Sequence, residues 1–186
     1  TDTNEDSIFA DIEPFIADGW SINTMISVDD VDNIDPNHTR TVIGGMDMDQ
    51  DGYDEMIMTD YNSHRVIVYE YDITVGNFNQ VWSSSVIEET NYSSNPRTVG
   101  VGDLDNDGRQ EIVFPSSSTG AEGWHIYEWD GVIGSDDYGT SPSSINTIEI
   151  DVCCSDNATV FRGDHERTTI EDVDSDGQQE LVIMIR

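Results

Sequence analysis

The chain contains no lysine: its seven basic residues are all arginine, and they face 39 acidic residues. The formal net charge at pH 7 is -32. A chain of this sign repels the phosphates of nucleic acids and of anionic membranes, so we expect neither as a partner. Cations are the expected partners. Adaptation to high salt is an alternative source of the acidic excess, and it is compatible with cation binding.

Long apolar runs are lacking as well. No segment approaches the roughly 18 consecutive apolar residues of a membrane-spanning helix, and the first residues show no signal-peptide pattern. We therefore expect no membrane insertion, and we expect a secreted protein to appear here in its mature or trimmed form.

The sequence motifs of common enzyme classes are missing. There is no His-Glu-x-x-His pair, no nucleophile elbow and no glycine-rich phosphate loop, and the four histidines show no metal-ligand spacing. Carboxylates are so numerous that an acid–base pair could be drawn almost anywhere, which means that none is indicated. We predict that the protein is not an enzyme.

Only two cysteines occur, and they are adjacent, Cys153 and Cys154. Neighbouring Cα atoms lie about 3.8 Å apart, which is below the usual range for a disulfide. A strained vicinal disulfide, two free thiols and an intersubunit link all remain open.

Helical periodicity is scarce, and short apolar or alternating runs dominate, with Gly, Asn, Asp, Ser and Pro between them. Examples are RVIVYEYD over 65–72, GWHIYEWD over 123–130 and ELVIMI over 180–185. Runs of this length and composition are typical of strands. The sequence therefore predicts an all-β fold of antiparallel strands.

A short acidic motif occurs three times and is the strongest signal in the chain. It reads DMDQDGYDE from Asp47, DLDNDGRQE from Asp103 and DVDSDGQQE from Asp172, and an apolar run follows each copy. Carboxylates at positions 1, 3 and 5 would repel one another unless a cation lay between them. The glycine at position 6 permits a sharp turn, and calcium takes six to eight oxygen ligands.

The motif therefore predicts three calcium sites. Their predicted ligands are the side chains of Asp47, Asp49, Asp51 and Glu55, of Asp103, Asp105, Asp107 and Glu111, and of Asp172, Asp174, Asp176 and Glu180, together with the backbone carbonyls of Tyr53, Arg109 and Gln178.

Two other interpretations of the motif are weaker. An EF-hand needs a glutamate at position 12 and flanking helices, whereas position 12 here is Met58, Phe114 and Ile183. A merely solvated acidic turn would explain one copy, but it does not explain three copies that each carry a glutamate at position 9.

The repeated D-x-D-x-D-G-x-x-E motif with its apolar run resembles the FG-GAP/VCBS repeats, over about residues 37–186. These repeats are the calcium-binding blades of β-propellers in integrin α-subunits and in many secreted adhesins and lectins. The resemblance implies propeller-like blades, a loop between the first two strands of each four-stranded blade, structural calcium, and an extracellular or cell-surface location.

The repeats divide the chain into four predicted parts. These are an N-terminal β segment over 1–36, a first blade over 37–92, a second blade with an insertion over 93–161 and a partial third blade over 162–186. Propellers close with four to eight blades, so we expect too few blades for a ring. The N-terminal segment could then complete a blade in cis, or in trans by strand addition to a neighbouring copy.

The expected function is that of a calcium-stabilised structural protein, a subunit of a head-to-tail surface filament whose partners are other copies of itself. The alternative is a fragment or module of a larger propeller adhesin or lectin that binds protein or glycan. The aromatics Tyr69, Tyr71, Tyr127 and Trp129 are expected to pack between blades in preference to stacking on sugars.

Three N-x-S/T sequons occur, at Asn37, Asn91 and Asn157. Each lies ahead of one acidic motif, at a similar place in its unit. They are candidate N-glycosylation sites if the source is eukaryotic.

Overall fold

Two four-stranded antiparallel sheets follow one another along the chain, and a two-stranded hairpin comes after them. The computed structural model describes residues 39–60, 64–74, 76–85, 96–116, 123–146, 149–150, 159–160 and 167–184. The N-terminal segment over 1–36, the asparagines of the three sequons and the two cysteines lie outside the described residues.

Each four-stranded sheet is a simple meander, in which each strand pairs with the next. The first sheet contains β1 (Val42–Met46), β2 (Glu55–Asp60), β3 (Arg65–Asp72) and β4 (Asn77–Ser83). The second sheet contains β5 (Gly100–Gly102), β6 (Glu111–Ser116), β7 (Gly123–Glu128) and β8 (Ser144–Asn146).

The remaining strands form two pairs. A short pair joins β9 (Glu149–Ile150) to β10 (Thr159–Val160), and the third sheet is the hairpin of β11 (Arg167–Glu171) and β12 (Glu180–Met184). The described residues include no helix, and so none that could span a membrane. The predicted all-β fold of antiparallel sheets is confirmed, and none of the described sheets closes on itself.

The first and second sheets share one apolar core. Side chains alternate between the two faces of a strand, so β3 directs Val66 and Val68 towards this core and Ile67 towards the opposite face of the first sheet. The second sheet contributes Ile112 and Phe114 from β6. Burial of these apolar faces is the main force that stacks the two sheets.

Trp82 at the end of β4 links the two sheets directly. Its ring makes edge-to-face contacts with Tyr127 and Tyr138, at centroid distances of 5.0 and 5.3 Å. Its indole N–H donates a 3.0 Å hydrogen bond to the carbonyl of Gly139. The indole is therefore buried with its only polar group satisfied, as buried Trp requires.

The opposite face of the second sheet packs on the third sheet. Val113 and Trp124 form a second core with Ile170 of β11, and Leu181 and Ile183 of β12 pack against it. The three sheets are thus stacked face to face in chain order. The outward face of β12 carries Val182 and Met184, which are 38% and 63% exposed.

Of the four aromatics expected to pack between sheets, Tyr127 and Trp129 belong to the core between the first and second sheets. Tyr69 is buried in a smaller cluster on the other face of the first sheet. Tyr71 is only half-buried and makes an edge-to-face contact with Phe78. The predicted unit boundaries at residues 37, 93 and 162 stay predictions.

Candidate metal centres

The three acidic motifs occupy equivalent places in the fold. Each lies in the loop between the first two strands of its sheet, that is between β1 and β2, between β5 and β6, and between β11 and β12. We call them the first, second and third loop, and number their residues from the first aspartate. The strands on either side pair antiparallel, so each loop is a hairpin connection held at both ends.

The same hydrogen bonds fold the three loops. The amide of position 6 donates to the first aspartate, at 3.1 Å for Gly52, 2.9 Å for Gly108 and 3.0 Å for Gly177. The amide of position 5 donates to the position 3 carboxylate, and the amide of position 7 donates to the position 5 carboxylate. Backbone N–H groups therefore fix the carboxylates of all three aspartates in each loop.

Two residues of each loop have left-handed backbone. Position 6 is the predicted glycine, with φ of 98°, 90° and 94° in the three loops. Position 4 is also left-handed although it is not glycine: φ is 63° at Gln50, 60° at Asn106 and 63° at Ser175. Asn tolerates this region better than Gln or Ser does. The turn at position 6 is predictable from its glycine, whereas the one at position 4 is not marked by any residue type that the three loops share.

The carboxylates converge in all three loops. Oxygen atoms within 4.8 Å of one another come from Asp47, Asp49, Asp51 and Glu55 in the first loop and from Asp103, Asp105, Asp107 and Glu111 in the second. In the third loop the group contains Asp172, Asp174 and Glu180, without Asp176. Each group could hold a metal ion, because hard divalent cations bind several carboxylate oxygens at once.

The glutamate at position 9 has a second role that its spacing alone did not indicate. Its Oε2 accepts a hydrogen bond from the backbone N–H of position 2: Glu55 from Met48, Glu111 from Leu104 at 2.6 Å, and Glu180 from Val173 at 3.0 Å. In the first two loops the other oxygen, Oε1, is buried and has no hydrogen-bond partner. In these two loops one carboxylate oxygen thus holds the turn in place, and the other is available to a metal ion.

Burial makes these glutamates hard to ionise in the absence of a cation. It raises the pKa of Glu55 to about 8, although the hydrogen bond from Met48 lowers it. Burial likewise raises the pKa of Glu111 to about 7, and the nearby charges of the second loop add to the effect. Desolvation and like charges both oppose ionisation of a carboxyl group.

The second loop carries its own positive charge. Arg109 at position 7 forms ion pairs with Asp107 and with Glu128 on β7. The side-chain hydrogen bond from Arg109 is the main cause that lowers the pKa of Asp107. The guanidinium therefore occupies one oxygen of a predicted calcium ligand. The corresponding residues of the other loops, Tyr53 and Gln178, are neutral.

The loops differ in what covers them. The Gly134 amide of the second sheet donates a 3.0 Å hydrogen bond to the carbonyl of Asp49, which places the segment after β7 against the first loop. The third loop contacts the second, where Gln179 Oε1 accepts a hydrogen bond from the Asp103 amide. The third loop is the most open: its position 2 residue, Val173, is 62% exposed, whereas Met48 is 1% exposed.

The predicted carbonyl ligands at position 7 of each loop are fixed only through their backbone amides. The amides of Tyr53, Arg109 and Gln178 are fixed by the position 5 carboxylate, and the ligand role of their carbonyls stays a prediction.

The structure adds two acids that sequence spacing did not select. Glu70 on β3 and Asp136 after β7 form a further group with Asp49, because the stacking of two sheets brings together residues far apart in the chain.

Comparison with protein families identifies the repeat. Residues 47–114, from the first aspartate of the first loop to Phe114 in β6, match the model of the FG-GAP-like repeat family. The resemblance inferred from the three motifs is thereby confirmed for this segment, which contains the first two loops. No curated protein and no solved structure matches the chain.

Proposed function

We propose that the chain is an extracellular, calcium-stabilised structural repeat protein, without enzymatic activity, in which each loop binds one calcium ion. The observation that carries the proposal is the threefold recurrence of one arrangement. In each loop, carboxylates converge within 4.8 Å and the position 9 glutamate is tied to the position 2 amide. FG-GAP repeats commonly bind calcium at such loops, and an extracellular calcium concentration would fill sites of weak affinity.

The ion's role follows from where the ligands lie. Positions 1 to 5 belong to the turn, while position 9 is the first residue of the second strand in each sheet. A calcium ion that binds both parts would cross-link the turn to the strand. It would also remove the repulsion among the carboxylates, whose oxygens lie within 4.8 Å of one another in each group.

Assembly into a head-to-tail filament is the finer part of the proposal. It is supported by the stacking of the three sheets in chain order and by the exposed apolar side chains of Val182 and Met184 at the end of that stack. In a filament this face would meet the first sheet of the next copy, or a strand of its N-terminal segment. A contact that does not close on itself produces a fibre.

Calcium binding is tested by titration calorimetry and by thermal unfolding in millimolar calcium and in excess chelator. We expect binding at the loops and a higher Tm with calcium, because an ion that binds only the folded state stabilises it. Asp105→Ala should remove one equivalent, because it removes a ligand oxygen, whereas Asp54→Ala, at an exposed acid outside the ligand groups, should not. Equal Tm values with and without calcium would refute the structural role.

Assembly is tested by light scattering of the full chain in calcium and after chelation. Large particles that disappear on chelation would support a calcium-dependent filament. A compact monomer at all protein concentrations would refute it and leave the calcium proposal standing.

A second function is favoured by one feature of the first sheet. A shallow groove of about 380 Å³ lies beside the first loop, lined by Gly52, Tyr53, Asp54, Tyr71 and Phe78. Aromatic side chains next to a calcium loop suit recognition of a sugar or a peptide. In this alternative the chain is a module of a larger propeller adhesin or lectin. Calcium-dependent retention on a glycan array that is lost in Tyr71→Ala, but kept in Tyr127→Phe, would support it.

A further inference from the structure

A fourth group of carboxylates lies between the first and second sheets. It contains Asp49 of the first loop, Glu70 of β3 and Asp136, which follows β7 in the second sheet. One oxygen from each lies within 4.8 Å of the others. Three separate segments of the chain thus bring carboxylates to a single point, and the loop motif accounts only for Asp49.

Two oxygens in this group are buried without a partner. Asp49 is only 1% exposed, and its Oδ1 accepts a 3.2 Å hydrogen bond from the Asp51 amide. Asp49 Oδ2 is buried and accepts no hydrogen bond, and Asp136 Oδ1 is in the same condition. Burial of an unpaired carboxylate oxygen is costly, and such atoms in a folded protein require an explanation such as an ion.

In the second sheet, an arginine balances the corresponding pair of acids. Its position 9 residue, Glu111, lies directly opposite Glu128 on the neighbouring strand. Like charges in this arrangement are destabilising. The Arg109 guanidinium offsets them through its ion pair with Glu128.

The first sheet has the same pair of acids without that arginine. Glu55 lies directly opposite Glu70, and the residue that corresponds to Arg109 is Tyr53. Ion pairs of the described residues include Arg65 with Asp60, and Arg109 with Asp107 and with Glu128. None of them involves the fourth group, and the chain has no lysine.

We propose that Asp49, Glu70 and Asp136 bind a further divalent cation, of the hard, oxygen-binding class that includes calcium, and that this ion fastens the second sheet to the first. The site goes beyond the three loop sites, although it shares Asp49 with the first of them. Asp49 would then be a ligand in both sites. Backbone carbonyls and water would complete the six to eight ligands that calcium takes.

The segment that carries Asp136 is already held in place. Beyond the Gly134 amide that binds the Asp49 carbonyl, the Trp129 indole N–H donates a 2.7 Å hydrogen bond to the carbonyl of Ser135. Trp82 binds the carbonyl of Gly139 at the other end. The carboxylate of Asp136 is therefore preorganised, and an ion need not order the loop in order to bind.

The test counts calcium ions bound to the full chain at saturation, by equilibrium dialysis and elemental analysis. Asp136→Ala should bind one equivalent fewer than the wild-type chain, because alanine removes the carboxylate and offers no oxygen in its place. The matched control is Asp54→Ala, which removes a carboxylate from an exposed position next to the first site. The control should bind as many ions as the wild-type chain.

The outcomes separate this site from the loop sites. Equal stoichiometry in Asp136→Ala and the wild-type chain overturns the fourth site, as does weaker binding at an unchanged number of ions. Loss of one equivalent in Asp105→Ala at the second loop tests the proposed function independently. If Asp136→Ala does not fold, as judged by circular dichroism, Glu70→Ala decides by the same count.

Discussion

The backbone amide of Asp103 donates a 2.8 Å hydrogen bond to the side-chain carbonyl of Gln179. Asp103 is the first residue of the second loop, and Gln179 lies in the third. The first and second sheets are linked in a related way, by the Gly134 amide and the carbonyl of Asp49. The candidate metal loops therefore lie at the contacts between successive sheets, so that ion binding and sheet stacking are expected to influence each other.

Removal of the Gln179 side chain should weaken calcium binding at the second loop. In Gln179→Ala the Asp103 amide loses its acceptor, and the first ligand of that loop is less well positioned. We expect a several-fold lower affinity at one site, measured by calorimetry. Gln178→Ala is the control, because the Gln178 side chain is exposed. The hydrogen bond from the Gln178 backbone N–H to the Asp176 carboxylate does not depend on that side chain. Equal effects of the two substitutions would contradict the prediction.

Addition of a methyl group at Gly102 should destabilise the contact between the second and third sheets. A Cβ at this position would overlap the Ile170 side chain and Gln179 Oε1. We expect Gly102→Ala to lower the free energy of unfolding by about 1–3 kcal/mol, the usual cost of overpacking. At Gly44 in β1 the nearest atom would be 3.7 Å away, so Gly44→Ala serves as the control. Urea denaturation in calcium measures both, and a neutral Gly102→Ala would show that the third sheet is not held at this position.

Calcium affinity should rise with pH up to about 8. The folded-state pKa of Glu55 is raised from 4.5 to about 8 and that of Glu111 to about 7. Both are therefore partly protonated at neutral pH, and a cation must displace the protons. Calorimetry in two buffers of different ionisation enthalpy should detect proton release at pH 7. Glu55→Gln should reduce that release, and an unchanged release would contradict the assignment.

Without calcium, the stability of the protein should depend on pH in the opposite direction. Because the pKa of Glu55 is higher in the folded state than in the unfolded state, the stabilisation from its protonated form is fully present below about 4.5. It is lost as the pH rises through about 8. In excess chelator, the Tm should therefore fall as the pH rises from about 4.5 to about 8, the window between the unfolded-state and folded-state pKa of Glu55. Saturating calcium should reverse or flatten this trend.

Replacement of Arg109 by the neutral glutamine that the third loop carries should strengthen calcium binding at the second loop. The Arg109 guanidinium pairs with Asp107, a predicted ligand, and its charge repels a cation. We expect Arg109→Gln to raise the affinity several-fold at low ionic strength, and less at high salt, because the charges are exposed. Arg167→Gln, an exposed arginine on β11, controls for net charge. A weaker second site in Arg109→Gln would show that the arginine positions Asp107 instead of competing for it.

Local chemistry made much of this protein predictable from its sequence. Alternating apolar runs predicted strands, and the spacing of aspartates, glycine and glutamate predicted three equivalent loops, because each loop is built from hydrogen bonds between residues no more than seven positions apart. The same locality explains why the FG-GAP-like repeat could be identified from its residues before any contact between sheets was known.

The tertiary structure alone decided how the sheets stack and which acids meet across their contacts. The grouping of Asp49 with Glu70 and Asp136, the burial of Glu55 and the close approach of Ile170 to Gly102 all join segments that are distant in the chain. Sequence spacing does not encode such proximity, because it arises when one apolar face is buried against another. The three loops share one local sequence pattern, and it is their different surroundings in the folded protein that bury Met48 of the first loop and leave Val173 of the third exposed.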